Sequence, residues 1–348
     1  MWLYQFFYQP GEWARAIYQV MEDWAVRIGM GIHWIQLIDM IIVAIILIAF
    51  IFLDVMFLTW LERKVAGHIQ VRHGPMRAGP HGIIQPVADA IKLLFKQPLV
   101  LPGVDGFIYF ISPLLMFIAA MLIFIVIPFS PGWVVAPMDY GLLFVFAASG
   151  LSSFFVITGG WCSNNKWSLL GGMRVAAQVI GYEVPLILAA IAVALSSNSL
   201  SMVGIVESQA GMWNVVCQPL AALLFLTASL AEMNRTPFDL GEAEQELVAG
   251  YLTEYSGMRF AMYYLGEYTH LLAGAAIFTT LFLGGWQGPL LPPIIWFLIK
   301  VHVMIFIYMW IRWTYPRIRV DHLMAFNWKF ILPLALINLG ITGLALAL

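Results

Sequence analysis

The sequence predicts an all-α polytopic membrane protein: about eight transmembrane helices, two long structured loops on one side, and an amphipathic helix before the first span. Three observations predict it. The 348 residues are 62% hydrophobic and only 10% charged, with a mean hydropathy of +0.87, which excludes an ordinary soluble enzyme. Apolar runs of about 20 residues, enough to cross a bilayer as a helix, recur along the chain. The period-two alternation of a membrane barrel is absent. Backbone groups in hydrocarbon need internal partners, so the spans are helices.

Residues 1–34 lack the basic start of a secretory signal. Trp13, Ile17, Val20, Met21, Trp24 and Ile28 recur at helical spacing, with Glu12, Arg15, Gln19, Glu22, Asp23 and Arg27 on other faces. That pattern suits a helix lying on the outer membrane surface, or one facing a neighbouring subunit. The first span is expected at 35–60. The loop 61–106 is rich in Gly and Pro (HGPMRAGPHG, then QPVADAIKLLFKQP). Pro86 suits the first turn of a short helix ending before Pro98, with Val87, Ile91, Leu94 and Phe95 on its apolar face. A loop this long and this apolar is expected to be packed and functional. The remaining spans are expected at 107–128, 139–160, 175–197, 214–232, 268–287, 293–313 and 329–347. No repeat or linker interrupts the chain, so residues 35–348 read as one domain.

Basic residues set the orientation. One set of loops carries 14 of the 17 Lys and Arg, including Arg63, Arg72, Lys92, Arg174, Arg235, Arg317 and Arg319. By the positive-inside bias these loops face the cytoplasm, and both termini face outside. Cys162 and Cys217 show no metal-ligand spacing, and the seven His form no facing helical pairs for a haem. No nucleotide fingerprint follows a strand. The chain is therefore expected to bind no metal and no redox cofactor of its own.

A charge near the bilayer centre costs at least ~2.5 kcal/mol and is seldom idle. Asp39 and Asp54 fall in the first span, Glu183 in the fourth, Glu267 opens the sixth, and Lys300 and His302 fall in the seventh. Asp54 is expected to reach interfacial water. Lys300 is expected either to snorkel or to pair with a neighbouring helix. Glu183, deeper and two residues before the helix-disturbing Pro185, points to function. Residues 231–251 read AEMNRTPFDLGEAEQELVAGY, and Glu232, Asp239, Glu242, Glu244, Glu246 and Glu254 fall within 23 positions around one base, Arg235. Pro237 should break any helix before Phe238, and Asp239 is a plausible cap for a helix starting near Leu240. Glu242 and Glu246 would then share a face, four residues apart. An acidic helix start explains Asp239 and Glu242. It does not explain Glu232, Glu254 or Glu267. Nearby buried carboxylates can share protons near neutral pH, so the set, with Glu183, favours a proton relay.

At LERKVAGHIQVRHGPMRAGPHGIIQPVADAIKLLFK and AEMNRTPFDLGEAEQELVAGYLTEYSGMRFAMYYLGEY the chain resembles the H subunit of respiratory complex I. WSLLGGMRVAAQVIGYEVP and PRIRVDHLM…WK match as well, and the likeness runs from about residue 35 to the end. The resemblance implies an eight-helix subunit that joins the membrane arm to a peripheral arm. It implies a chamber in which quinone, the substrate, is reduced by electrons from FMN and iron–sulfur clusters on partner subunits. It places Arg63, Arg72, Asp89, Lys92, Arg235, Pro237, Phe238, Arg317 and Arg319 at the chamber or the arm junction. It places Glu183, Glu232, Asp239, Glu242, Glu244, Glu246, Glu254 and Glu267 on an acidic path into the membrane arm. No residue is implied as catalytic in the strict sense. The implied setting is the bacterial inner membrane, with peripheral-arm and membrane-arm subunits, quinone and lipid as partners and no nucleic acid. Gln97 stands where the family often has an acid, and Met76 where Asn is frequent. Alternatives are the anchor of a related hydrogenase or ferredoxin-driven complex, a stand-alone ion transporter, and a scaffold without chemistry. A transporter often shows two related halves, which this chain lacks. A scaffold leaves the acids unexplained.

Overall fold

The structure, a computed structural model, describes residues 19, 32–100 and 102–347. The expected interfacial helix at 13–28 falls outside the described residues, as do the side chains of Asp39 and Glu244. Among the described residues the only bridge of strand type is Ser130–Trp133. Everything else regular is helical. The α-helices are α1 (Ile32–Ile69), α2 (Gln85–Phe95), α3 (Gly106–Leu122), α4 (Gly141–Cys162), α5 (Lys166–Ser197), α6 (Met202–Ser208) and α7 (Asn214–Cys217). They continue with α8 (Pro219–Glu232), α9 (Glu244–Leu247), α10 (Met258–Phe282), α11 (Pro293–Thr314), α12 (Val320–Phe326) and α13 (Leu332–Ala347). A π-helical turn, Asn327–Ile331, joins the last two.

Six described helical segments are long and apolar enough to cross a membrane, so this is a multi-pass helical protein. Two of the eight expected segments are of another kind. One is α8, only 14 residues long. The other is α10, 25 residues long and carrying Arg259, Glu267 and His270.

Several helices outrun the apolar runs that announced them. α1 continues nine residues past 60 because LERKVAGHI is made mostly of good helix formers. α5 starts at Lys166 and not at 175, capped by Asn165, whose side chain accepts from Trp167 N at 2.9 Å. α10 starts at Met258 and not at 268. Hydropathy marks only the greasy part of a helix, whereas the hydrogen-bond ladder runs on through polar turns. The segment expected at 214–232 is instead split at Gln218, and Pro219 opens the second piece. α2 begins with Pro86 in its first turn and ends before Pro98, as expected.

α5 lies at the centre, packed by α4, α8 and α13, while α3 packs against α4 and α10. Small residues permit this. Ala189, Ala190, Ala192 and Val193 of α5 and Ala221 and Ala228 of α8 are fully buried. α1 stands at the edge, where Met40, Ile45, Ile46 and Leu53 are 60–70% exposed to what the composition makes a lipid surface.

Two charges inside the spans have specific partners. Asp54 is bound to a neighbouring helix. α1 runs on to Ile69, so Asp54 sits well inside it, and its Oδ1 lies 3.1 Å from His302 Nε2 on α11. Lys300 pairs with no acid among the described residues. Its Nζ donates to the carbonyls of Leu283 (2.6 Å), Gly285 (3.1 Å) and Gln287 (2.6 Å), and lies 4.4 Å from the Trp213 ring. A cation there meets the free carbonyls at the C-terminal end of α10.

Candidate functional site

The last turns of α1, the start of α10, the end of α11 and the loop 233–257 enclose a cavity of about 660 Å³. Its ionisable lining is Glu62, Arg63, Arg72, His73, Arg235, Glu242, Glu267 and Arg312. Its aromatic lining is Phe260, Tyr264, Tyr268 and Trp313. A cleft of this size that combines aromatic walls with convergent polar groups is a usual form of small-molecule site, here with an unusually large share of charge.

The floor is an ion-pair network. Arg235 is 2% exposed, and its Nη1 lies 3.3 Å from Glu62 Oε2 while its Nε lies 3.2 Å from Glu267 Oε1. Arg312 Nη1 pairs with the other oxygen of Glu62. The Arg235 guanidinium also packs 4.5 Å over the Tyr268 ring. Burial opposes the charge on Arg235, but Glu267 and Glu62 outweigh it and hold the guanidinium protonated. Glu242 faces the opposite pressure. Burial, then the nearby carboxylates of Glu267 and Asp239, push its carboxyl well above the usual range, against the pull of Arg235.

Local chain geometry puts these groups together. After α8 the chain turns sharply at Asn234 (φ 51), and Arg235 N returns to Leu230 O at 3.2 Å. Gln178 on α5 holds that turn, donating to Ala231 O at 2.5 Å and Asn234 Oδ1 at 3.1 Å. Phe238 packs on Tyr182, ring centroids 5.5 Å apart, and Ile318 N donates to Pro237 O at 3.1 Å. Farther on, three glycines let the loop cross α5 and itself. A Cβ on Gly171 would sit 2.7 Å from Tyr251 N, and one on Gly250, itself at φ 52, would sit 1.7 Å from Gly241 O.

The predicted residues divide into several groups. Arg63, Arg72, Arg235, Glu242 and Glu267 line the cavity. Pro237 and Phe238 support it from behind. Asp239 pairs with Arg317 at 3.2 Å and is 8% exposed; burial raises its carboxyl, with Arg317 and Arg235 opposing. Asp89 bonds Arg63 Nη1 at 2.6 Å at the surface, whereas Lys92 lies on the exposed side of α2. Arg319 is exposed beside Asp321. Glu232, at the end of α8, borders two small voids of about 10 and 20 Å³. The larger also touches Glu267 and His270. Glu183 lies half-buried on α5, where a Cβ on Gly150 would meet its Oε1 at 3.1 Å. Glu246 stands apart, 48% exposed and paired with Arg174 at 2.6 Å. Glu254 accepts from Asn165.

The cap assigned to Asp239 is corrected: no helix starts at Leu240, and among the described residues the only turn of α-helix nearby is α9. Gly241 must pass tightly against Val175, so the chain there is a turn, and Glu242 and Glu246 face different ways. Glu62 and Arg312 escape the sequence reading. Their partners lie 173 and 250 positions away, beyond any local pattern. The tyrosines Tyr264 and Tyr268, one helical turn apart in MRFAMYYLGEYTH, are the signal that was open to view.

Fold and site together define a multi-pass helical membrane protein whose basic loop face closes over a buried network of acids and arginines. Comparison with known proteins narrows this. Residues 42–343 match the family described as NADH dehydrogenase. The H subunit of the NADH-quinone oxidoreductase of Dehalococcoides mccartyi (strain ATCC BAA-2266 / KCTC 15142 / 195) is 47% identical over 90% of this chain and 88% of its own length. The corresponding H subunit of Carboxydothermus hydrogenoformans is 42% identical over 91% and 93%, and that of Protochlamydia amoebophila is 46% identical over 82% and 91%. The chain belongs to the family of NADH-quinone oxidoreductase H subunits.

Proposed function

We propose that this chain is the membrane subunit of an NADH:quinone oxidoreductase that forms part of the quinone chamber and couples quinone reduction to proton translocation. The observation that carries the proposal is the cavity beneath the basic loops, with Arg235 at the centre of its floor. Its size suits a quinone headgroup, and its tyrosine and tryptophan walls suit a flat ring. Electrons come from FMN and iron–sulfur clusters on peripheral-arm subunits. Reduction of the quinone takes two electrons and two protons, so acids at the chamber wall are needed on chemical grounds alone.

Glu242 and Glu267 stand at that wall, and Glu267 and Glu232 border one void. The two voids at Glu232 are each of a size for about one water. Glu183 lies farther along α5. The acids thus form a path from chamber to membrane interior, along which protons pass as quinone is reduced. Glu246 and Glu254 do not belong to it, because each is committed to a partner away from the voids. The basic loops face the cytoplasm of a bacterial cell and dock the peripheral arm; other membrane-arm subunits take up the protons. The relatives' names support the quinone reductase over a hydrogenase anchor.

The test narrows the chamber without touching a charge. Ala249→Phe places a ring in the cavity from its loop wall. In the assembled complex the rate with quinone should fall while NADH oxidation by an artificial acceptor, which draws electrons upstream, stays at the parent level. Equal loss with both acceptors, or no loss with either, overturns the assignment.

A further inference from the structure

A second hollow, about 330 Å³, shares no lining residue with the charged cavity. It lies where the end of α2 meets α3 and the first turn of α10. Its walls are apolar: Leu94, Pro98, Phe110, Leu114, Met258 and Met262. Two bases, Lys96 and Arg259, complete them.

The hollow is held in shape by the chain around it. Leu99 N donates to Ser256 Oγ at 2.9 Å, and a Cβ on Gly257 would sit 2.9 Å from Lys96 O. The segment 96–99 is therefore seated against the turn before α10. The Arg259 guanidinium packs over Tyr109 (5.2 Å) and Phe110 (5.1 Å), which fixes its plane. Its Nη1 is buried without a hydrogen-bond partner. Among the described residues neither Arg259 nor Lys96 forms an ion pair. Glu254, whose carbonyl accepts from Tyr109, gives its carboxylate to Asn165. The start of α10 has no side-chain cap, so its free N–H groups add to the positive field.

A buried donor left unmatched is costly, and an arginine with one such donor, next to an exposed lysine and greasy walls, suits an anion with an apolar body. The apolar part of the site continues downward. On α3, Phe107, Phe110, Leu114 and Ile118 form an exposed stripe at helical spacing, running from the hollow along a membrane-spanning helix. Both bases belong to the loop face that the charge bias marks as the cytoplasmic side, where anionic lipids attract them.

We propose that this hollow binds the phosphodiester of an anionic phospholipid, with Arg259 and Lys96 on the phosphate and an acyl chain along Phe110, Leu114 and Ile118. A bound lipid of this kind ties α2, α3 and α10 together beside the chamber. A neutral ring leaves both charges unmatched. A free phosphate leaves the apolar walls and the stripe below them without a partner. The proposal is independent of the quinone assignment.

The test uses the intact complex in nanodiscs containing traces of phosphatidylglycerol or phosphatidylcholine, each with a photoreactive acyl chain. Crosslinks are mapped by peptide. Phosphatidylglycerol should label the peptides around Phe110–Ile118 and Met258–Met262 well above phosphatidylcholine. Lys96→Ser should cut that labelling about fivefold, and Arg259→Gln by at least as much, the worth of one base against an anionic lipid. Arg259→Lys should retain most of it. Lys96 is at the surface, so Lys96→Ser leaves the fold alone, and the comparison of the two lipids needs no variant. Equal labelling by both lipids, or labelling unmoved by Lys96→Ser, overturns the proposal. Loss of labelling in millimolar inorganic phosphate at constant ionic strength also overturns it, by identifying the ligand as a free anion.

Discussion

Glu62 and Glu242 line the same cavity in different surroundings. Glu62, 4% exposed, lies between two guanidinium groups. Removing one partner of a buried ion pair leaves the other charge desolvated, a loss on the order of 3 kcal/mol. Glu62→Gln should therefore lower the melting temperature of the complex and slow quinone reduction, and Glu62→Asp should recover part of each. An unchanged melting temperature in Glu62→Gln would show that the ion pairs do not hold the cavity floor together. Glu242 is raised by burial and by Glu267 and Asp239, so the folded chain keeps its proton over a pH range in which the unfolded chain has lost it. The folded state then binds more protons, and stability falls as pH rises from the ordinary carboxylate range through the raised value. In Glu242→Gln that decline should shrink, so the variant gains on the parent as pH rises through this range. A difference that does not change with pH means Glu242 is not held protonated. The clustering of acids around Arg235 is legible in the sequence. That Glu62 completes the cluster is not, because burial and distant partners, and not neighbours in sequence, define that role.

Helix boundaries decide where these residues stand. Asp54 looks close to a loop only if α1 ends at 60, and Asp239 looks like a cap only if a helix follows it. Hydropathy and local propensity see neither the polar extension of a span nor the crossing of Gly171, Gly241 and Gly250 that overrides a helix start. The spans themselves are legible, because a long apolar run has few ways to fold in lipid. Gly250→Ala tests the crossing. Its φ of 52 disfavours a side chain by roughly 1–2 kcal/mol, and the new Cβ meets Gly241 O. The loop should lift off α5, which protease cleavage between 240 and 257 would report in the variant but not in the parent. Lys300→Met tests the other face. It keeps the stem, frees three carbonyls and should cost about 2 kcal/mol. Faster proteolysis of 284–292 in the intact complex is the readout, and parent-like resistance means that packing alone holds that loop.

Across the whole molecule, the acids work as a path only if the protein keeps them apart from bulk solvent and close to one another. Glu246, exposed beside Arg174, meets neither condition, and an ion pair of that kind contributes about 0–1 kcal/mol. Glu232 meets both: it borders the void shared with Glu267 and His270 and the void lined by Ser149 and Ser229. Gln keeps the shape of Glu and its hydrogen bonds but cannot carry a proton. Glu232→Gln complexes should assemble, oxidise NADH normally with an artificial acceptor, and lose most proton translocation per electron pair in reconstituted vesicles. On the proposed path Glu183, half-buried on α5, is the next acid after Glu232, so Glu183→Gln should follow the same pattern. Glu246→Gln should translocate like the parent, which makes it the control for a general loss of negative charge on this face. If Glu232→Gln translocates normally while Glu246→Gln does not, protons reach the membrane arm along the loop surface and the buried acids serve only to hold Arg235 and its loop in place.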